Sequence, residues 1–377
     1  MVSLDIFRFL SGNRTAGEMS DTQTPSIQNK LVFTAGGQDF TVRDVVDSAQ
    51  FRGELEPAWK ELLRALAAEA KADAQELEFD EDAIDTAAEQ FRYQHDLITA
   101  EETEKWLTDR GVSLSDFSSY FIRHHWADKF DEVEPEPADY LAASAELQAL
   151  LLAEMILSGD LDRMAQRLSW RVADWCSAGN EAVDAALLAA EEERFFERSG
   201  LSREELPAWL AQLGREEEWF RESLAKEAIH RRGCHSVLSP KARAHEVAAL
   251  RLPLTRFEVE TIELDSLNAA REALLCVRED GMSMEEVAAE GRYPYRHPEV
   301  LLEEIPEELQ QKFLSVHPGE ILDPIARGDG FHLCRVVGKS EPDLEDPVVK
   351  ERAEERILDR YFADLMTRHI LWRTLFV

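Results

Sequence analysis

The sequence is poor in cysteine, in basic residues and in long apolar runs, and each shortage argues against a class of protein. Its four cysteines lie far apart and form no Cys-x-x-Cys pair, which argues against a disulfide framework and a zinc knuckle. No apolar run reaches the about 18 residues of a membrane-spanning helix, so we expect no membrane insertion. The N-terminus lacks a basic stretch before a long apolar one, which disfavours a signal peptide and favours a cytoplasmic location.

Acidic residues outnumber basic ones by 76 to 42, which gives a formal net charge of −34 at pH 7. Nucleic acid and anionic membranes would repel such a surface, so we expect no nucleic-acid partner. The charge favours solubility and contact with basic or neutral polypeptides. With 44% hydrophobic residues the 377-residue chain can bury a core, and at roughly 100–200 residues per domain its length favours about two or three domains.

Shifts in composition divide the chain into segments. The first residues are polar and rich in Ser and Thr, as expected of a flexible leader. Two β-prone runs then flank Gly36 and Gly37, which predicts a hairpin, and Thr41 predicts the cap of the helix that follows. An acidic, proline-containing stretch at 131–139 predicts a solvated linker between two helical blocks. We assign a flexible leader (1–29), an N-terminal hairpin and helical segment (30–134), a second helical block (138–235), an α+β domain (236–341) and a C-terminal helix (342–377).

The two helical blocks resemble each other. Four matched pairs of positions lie 103 residues apart, namely Trp106 and Trp209, Leu107 and Leu210, Gly111 and Gly214, and Phe117 and Phe220. A helix bearing Trp and Leu, a glycine that ends it and a second helix whose Phe packs back would explain this pattern. We interpret the segments as a duplicated helical hairpin, and the alternative is chance similarity between two acidic helical segments.

The last third predicts an α+β domain followed by an amphipathic helix. Residues 256–264 alternate as a β-strand does. Three short helices and two strands, at 322–326 and 331–337, complete a β-α-α-α-β-β order. A last helix from Asp346 to about Phe376 has an apolar face, and we expect it to pack back on the N-terminal helices. The predicted fold class is mostly α with one α+β domain.

The most specific sequence pattern lies near the end of this α+β domain. It reads Val-His-Pro-Gly-Glu-Ile-Leu-Asp-Pro-Ile at 316–325 and continues as Gly-Phe-His-Leu-Cys-Arg-Val at 330–336. In residue type and spacing the pattern resembles parvulins, the rotamase domains of one class of peptidyl-prolyl cis-trans isomerases. The hairpin and the Trp-Leu, Gly and Phe pattern of the first block resemble SurA-like chaperones. The resemblance implies a SurA-like helical body, a parvulin-like domain and a C-terminal helix that joins the body.

Several family positions are altered, so the resemblance implies a degenerate rotamase site. Thr261 stands near the place of the family's first-strand histidine, whereas the second-strand histidine is kept as His332. Ile305 and Leu309 fall near the positions that usually hold a pocket Met and Phe. By this resemblance His332 and Thr261 are the candidate catalytic residues, and it is open whether isomerase activity survives loss of the first histidine.

We expect four apolar residues to wall a substrate-binding cleft with His332 at its floor. These residues are Ile305, Leu309, Phe313 and Phe331. Rotation about a peptide bond meets a barrier of about 18–20 kcal/mol because of amide resonance, and no nucleophile is needed to lower it. An isomerase instead binds the proline in a dry apolar pocket and favours the twisted amide.

Three functions are compatible with the sequence. The first is a foldase or chaperone that binds extended or unfolded polypeptide, basic or proline-containing, including a dedicated precursor peptide in maturation or export. The second is an active peptidyl-prolyl isomerase, and the third is a structural adaptor that docks a partner protein through the helical body. We expect no cofactor and no metal, because a Gly-rich phosphate loop is missing and the adjacent His124 and His125 do not face each other on a helix. The oligomeric state stays open.

Overall fold

A computed structural model describes the chain over residues 27–179, 183–328 and 330–373. The chain divides into two compact units, unit 1 with Met1–Gly233 and Phe362–Val377, and unit 2 with Cys234–Tyr361. The predicted leader lies outside the described residues except for a short 3-10 turn, Ile27–Asn29. The other sequence-based domain boundaries stay predictions. Within the described ranges, every helix is too short or too polar to span a lipid bilayer.

Unit 1 is built mainly from helices. The first helix begins at Val42 because Thr41 and Asp44 form the predicted capping box, in which the Asp44 carboxylate accepts the Thr41 N–H at 2.8 Å. The helices before residue 179 bury apolar residues in one core, and the later helices pack in a second cluster that includes Phe51 and Phe195. The helices are α1 (Val42–Phe51), α2 (Leu55–Ala74), α3 (Glu81–Gln94), α4 (Ala100–Arg110), α5 (Leu114–Lys129), α6 (Ala145–Leu157), α7 (Asp160–Ala178), α8 (Ala185–Ser199), α9 (Leu206–Leu213) and α10 (Glu217–Val237), whose last residues belong to unit 2.

A three-stranded antiparallel sheet accompanies these helices. Strands β1 (Leu31–Ala35) and β2 (Gln38–Thr41) form the predicted hairpin. The third strand, β8 (Ile370–Trp372), pairs with the other edge of β1. The backbone that was predicted to continue the C-terminal helix therefore forms a strand instead. The predicted helix end at Phe376 lies outside the described residues.

The C-terminal helix, α15 (Pro347–His369), returns to unit 1 with its final turns. The Phe362 ring stacks on Trp170 of α7 with 4.7 Å between centroids. The Ser169 hydroxyl, also on α7, donates to the Met366 sulfur at 3.3 Å. These contacts confirm that the C-terminal helix packs back on the helical unit.

Each helical block of unit 1 contains the same arrangement of three aromatic rings. The ring-centroid distances are 5.4 Å for Phe91–Trp106, 5.3 Å for Phe91–Phe117, 5.3 Å for Phe195–Trp209 and 5.0 Å for Phe195–Phe220. In both blocks a glycine in the left-handed region ends the Trp-bearing helix, Gly111 with φ 70° and Gly214 with φ 64°. These geometries support the duplication hypothesis, and a common origin of the two blocks stays a prediction.

Unit 2 is a five-stranded antiparallel sheet with helices on both faces. Strand β3 has the predicted bounds and lies at the centre, in the order β4-β3-β7-β6, with β5 also pairing with β3. The strands are β3 (Arg256–Leu264), β4 (Tyr295–Arg296), β5 (Glu299–Leu301), β6 (Ile325–Arg327) and β7 (Gly330–Ser340). The helices are α11 (Pro240–Ala249), α12 (Leu267–Arg278), α13 (Met284–Gly291) and α14 (Glu307–Ser315).

Three parts of unit 2 differ from the sequence-based prediction. The strand predicted at 322–326 is limited to Ile325–Arg327, and the strand predicted at 331–337 extends over Gly330–Ser340. The predicted β-α-α-α-β-β order has no helix before its first strand, but α10 continues to Val237 and Ser239 caps α11 with Pro240 in its first turn. The short strands β4 and β5 were not predicted, and they form because they pair with an edge of β3. The β-α-α-α-β-β order is otherwise present.

Candidate functional site

The two faces of the unit 2 sheet carry separate apolar clusters. Successive residues of a strand point to opposite faces, so β3 and β7 divide their side chains between the clusters. The Leu333 cluster contains Ile262 and Leu333 and packs against α12 and α13. The Cys334 cluster contains Val259 and Cys334 and packs against α14.

The predicted cleft residues are distributed over both clusters. Ile305 and Phe313 are buried in the Cys334 cluster, and the half-buried Leu309 packs against it. Phe331 packs against the Leu333 cluster on the other face of the sheet. The four residues therefore do not wall one cleft, because neighbouring strand residues such as Phe331 and His332 point in opposite directions. Their role in substrate binding stays a prediction.

The two candidate catalytic residues lie on the same face as the Cys334 cluster. His332 is paired with Glu263 across the β3–β7 ladder, and Thr261 is paired with Cys334 in the same ladder. The Thr261 hydroxyl lies 3.8 Å from the Cys334 sulfur. Burial and the Arg327 charge lower the pKa of His332, although Glu263 opposes the shift. The imidazole is therefore neutral at pH 7, and the catalytic roles of both residues stay predictions.

Unit 2 has an open cavity of about 730 Å³ on the side of the Leu333 cluster. Met282 and Ile321 supply apolar walls, and Arg278, Glu286 and Arg335 supply charges. None of the six predicted site residues lines this cavity. The predicted rotamase site and this cavity are therefore different places.

Unit 1 contains a larger open cavity of about 1230 Å³. Its walls come from the end of α1, from α2, from the chain between α5 and α6, and from the α8–α9 region. Its apolar lining consists of Phe51, Leu55, Pro57, Trp59, Leu63, Pro135, Pro137, Ala138, Tyr140, Leu141, Leu201, Ala208 and Trp209. Small-molecule sites are typically about 300–1,000 Å³, so this cavity can accept a segment of polypeptide.

One wall of this cavity is a short stretch of chain, which we call the strap (residues 134–138). The strap belongs to neither a helix nor a strand. The Trp59 indole N–H donates to the Ala138 carbonyl at 2.6 Å, and the Trp59 and Tyr140 rings meet edge to face at 5.7 Å. Burial, with a smaller effect from Asp47, raises the pKa of Tyr140 to about 12. The Tyr140 phenol is therefore neutral, and the strap is held at its C-terminal end by an aromatic anchor.

The cavity in unit 1 has an excess of negative charge. Six carboxylates line it, Glu56, Glu61, Glu134, Glu136, Asp139 and Glu205, against three cations, Lys60, Arg64 and Arg198. Lys60 pairs with Glu56 at 2.6 Å and Arg64 with Glu61 at 2.7 Å. Hydrogen bonds from the Ser202 N–H and hydroxyl lower the pKa of Glu205, so this carboxylate is charged at pH 7. The remaining carboxylates give the cavity a negative potential that favours a basic occupant.

The residues of this cavity were not identified from the sequence. The stretch 131–139 was interpreted as a solvated linker, and its side chains are indeed largely exposed. The available signal was the repeated Glu-Pro at 134–137, because a proline fixes its own φ near −65° and keeps the preceding residue out of the helical region.

Comparison with known proteins gives fold likenesses of low similarity. No protein-family model matches the sequence, and no curated protein matches it. The chain resembles a solved structure of PrsA, a peptidylprolyl isomerase from Bacillus cereus, with 16% identity, a TM-score of 0.33, and coverage of 56% of this chain and 84% of that one. It also resembles the Bacillus anthracis PrsA structure, with 14% identity, a TM-score of 0.30, and coverage of 54% and 96%.

The chain also resembles a solved structure described with PEB4 and Cj1289, two structurally related SurA-like chaperones of Campylobacter jejuni. The identity is 10% and the TM-score 0.21, over 58% of this chain and 89% of that one. Superpositions this loose assign neither a family nor an activity.

Proposed function

We propose that this chain is a parvulin-related, SurA-like chaperone that binds extended or unfolded polypeptide in the cavity of unit 1. The observation that carries the proposal is a cavity of about 1230 Å³ with aromatic, proline and leucine walls. Burial of a client's apolar side chains against these walls would supply affinity at about 25 cal/mol per Å² of apolar area. The excess of carboxylates favours basic clients, and a dedicated precursor peptide awaiting maturation or export is one such client. A cytoplasmic location is part of the proposal, and subcellular fractionation would test it.

Replacing an apolar cavity residue should weaken client binding. Leu201 lines the cavity, whereas Leu187 lies on α8 outside its lining and is 39% exposed. Leu201→Gln should weaken the binding of a permanently unfolded, fluorescently labelled protein by about five- to thirtyfold, because about 1–2 kcal/mol of apolar burial is lost. Leu187→Gln is the matched control and should bind as the unaltered chain does. Fluorescence anisotropy measures the affinity, and light scattering measures suppression of aggregation.

Two outcomes would contradict the proposal. One is an unaltered chain that binds no unfolded protein, and the other is equal binding by the two variants when both retain the native circular dichroism spectrum. Stoichiometric capture of one folded partner without affinity for unfolded chains would favour the structural adaptor instead.

A peptidyl-prolyl isomerase is the second candidate, favoured by the shared face of His332, Leu309 and the Cys334 cluster. The sheet provides an apolar surface there with a neutral imidazole beside it. Turnover of a short X-Pro peptide that is abolished by His332→Ala and by Leu309→Ala would establish the enzyme. If the X-Pro peptide isomerises no faster than in buffer while client binding is intact, the isomerase is ruled out and only the chaperone proposal stands.

A further inference from the structure

A smaller cavity of unit 1 adjoins the large one. It measures about 330 Å³, and its lining shares Tyr140, Leu141 and Gln212 with the cavity of about 1230 Å³. Gln28 also lines the smaller cavity. Gln28 belongs to the turn Ile27–Asn29, at which the described part of the chain begins. The preceding residues are therefore joined to unit 1 beside both cavities.

The turn that bears Gln28 is fixed to the rest of unit 1. The Lys30 N–H donates to the Ile27 carbonyl at 3.0 Å, and the Val42 N–H donates to the Lys30 carbonyl at 2.9 Å. The Ile27 side chain packs against the main core. The point at which the preceding residues are tethered is thus fixed relative to the cavities.

The residues before this turn include a short apolar stretch, which we call the N-terminal segment (residues 4–10). It reads Leu-Asp-Ile-Phe-Arg-Phe-Leu, so five of its seven residues are apolar. The stretch 6–17 carries Arg8 and Arg14 and no acidic residue, although acidic residues outnumber basic ones by 76 to 42 in the chain. This part of the sequence therefore combines the two properties that the large cavity favours in an occupant, apolar side chains and positive charge.

The tether between the N-terminal segment and the turn is long enough for the segment to reach the large cavity. Residues 11–27 join Leu10 to Gln28, and a chain of this length spans up to about 60 Å when fully extended. Tethering also keeps the segment near the cavity at an effective concentration of about 1 mM. Even a weakly binding segment would therefore compete with a client.

We propose that the N-terminal segment occupies the cavity of about 1230 Å³ until a client displaces it. Phe7 and Phe9 pack against the aromatic and leucine walls, and Arg8 lies among the carboxylates of the lining. This inference rests on the proposed polypeptide-binding function and adds a competitor within the chain. It also adds the class of client, since the segment is a model of one: a short apolar stretch, rich in aromatic residues, that contains arginine.

The first test removes the aromatic side chains of the N-terminal segment. Phe7→Ser with Phe9→Ser should tighten binding of the labelled unfolded protein by about three- to tenfold, as measured by fluorescence anisotropy. A tethered competitor at about 1 mM with an intrinsic Kd of about 0.1–0.5 mM lowers the apparent affinity by that factor. Thr22→Ser with Thr24→Ser is the matched control, because it makes two substitutions in the same part of the chain outside residues 4–10. Equal affinities of the three chains would overturn the inference.

The second test supplies the segment as a separate peptide. A synthetic peptide of residues 1–14 should displace the unfolded protein from the Phe7→Ser and Phe9→Ser variant, whereas the same peptide with both phenylalanines replaced by serine should not. Adding Leu201→Gln to the variant should weaken binding of the peptide, and adding Leu187→Gln should leave it unchanged, because only Leu201 lines the cavity. A peptide that binds without displacing the unfolded protein would overturn the inference.

The third test locates the segment in the full chain. A benzophenone amino acid replaces Phe9, the chain is irradiated without client, and mass spectrometry identifies the adducts. Adducts should form with the cavity walls at 55–64, 134–141 and 198–212 and should decrease when an unfolded client is added. The same group at position 22 is the control and should give few adducts with these walls. Adducts between two copies whose yield rises with protein concentration would assign the segment to a second copy and overturn the inference.

The outcomes distinguish this inference from the proposed function. If neither the unaltered chain nor the Phe7→Ser and Phe9→Ser variant binds unfolded protein, the proposed function is overturned. If both bind it with the same affinity and the Leu201→Gln variant binds it more weakly, the N-terminal segment is not a competitor and the proposed function stands.

Discussion

His332 illustrates how burial sets the protonation of one side chain and makes stability depend on pH. Its pKa is lowered by burial and by Arg327, so the folded chain takes up this proton at a lower pH than the unfolded chain. Below an unfolded-state pKa of about 6.5, the unfolded state is favoured by protonation. The contribution of the neutral imidazole to the free energy of unfolding is fully present above that pH. It is lost as the pH falls toward the folded-state pKa of His332.

This sign gives a prediction for His332→Gln. The variant should lose less stability than the unaltered chain between pH 7 and pH 5, as measured by the shift in the urea unfolding midpoint. His317→Gln is the control, because the His317 side chain is 82% exposed. An equal pH dependence of the unaltered chain and the His332 variant would contradict this account of the His332 environment.

At single positions, the residues that begin a helix or a strand could be predicted more reliably than the residues of a functional site. Thr41 was predicted to cap α1 and does so because its hydroxyl and Asp44 satisfy each other's backbone N–H groups. Phe331 and His332 were placed in one cleft because the family pattern was followed without the alternation of a strand. That alternation was available from the sequence, and it separates the two side chains.

At the scale of elements, a buried ion pair joins the two helices that flank the strap. Arg123 of α5 donates its Nε–H to Glu154 of α6 at 2.8 Å, and the two side chains are 6% and 10% exposed. His124 lies 3.1 Å from the other carboxylate oxygen. Removal of one partner leaves a buried charge unpaired, which costs more than loss of the whole pair.

Glu154→Leu should therefore lower the free energy of unfolding by about 3 kcal/mol. Adding Arg123→Met to it should restore most of the loss, because no buried charge is then left alone. Urea unfolding of the two variants and of Arg123→Met completes the cycle. A double variant that is as unstable as the sum of the single variants would show that the pair does not act as a unit.

Helices and strands with a local residue pattern were predicted well. Strands that form only by pairing with a distant part of the chain were not. Strand β3 has the predicted bounds, Arg256–Leu264, because its alternation is local. Strand β8 was predicted as helix, since only its hydrogen bonds to β1, more than 300 positions earlier, convert it. The repeat was recognised through Trp106 and Trp209, but the matching Phe91 and Phe195 were missed because they lie 104 rather than 103 positions apart.

At the scale of the whole molecule, the fold class could be predicted from the sequence and the cavity could not, because only the fold class depends on continuous stretches of sequence. Helical patterning and the parvulin-like segment are continuous stretches of sequence. The cavity instead assembles α2, the strap and the α8–α9 region, which are up to about 150 residues apart in the chain. No local pattern reports which helices will leave such a gap between them.

Photocrosslinking at the cavity tests the central claim most directly. A benzophenone amino acid replaces Leu201 in one variant and Leu187 in a second, and each full chain is irradiated with a permanently unfolded client. The account predicts a covalent client adduct from position 201 and little from position 187. Equal adducts at both positions, or adducts at position 187 alone, would show that the unit 1 cavity is not where polypeptide binds.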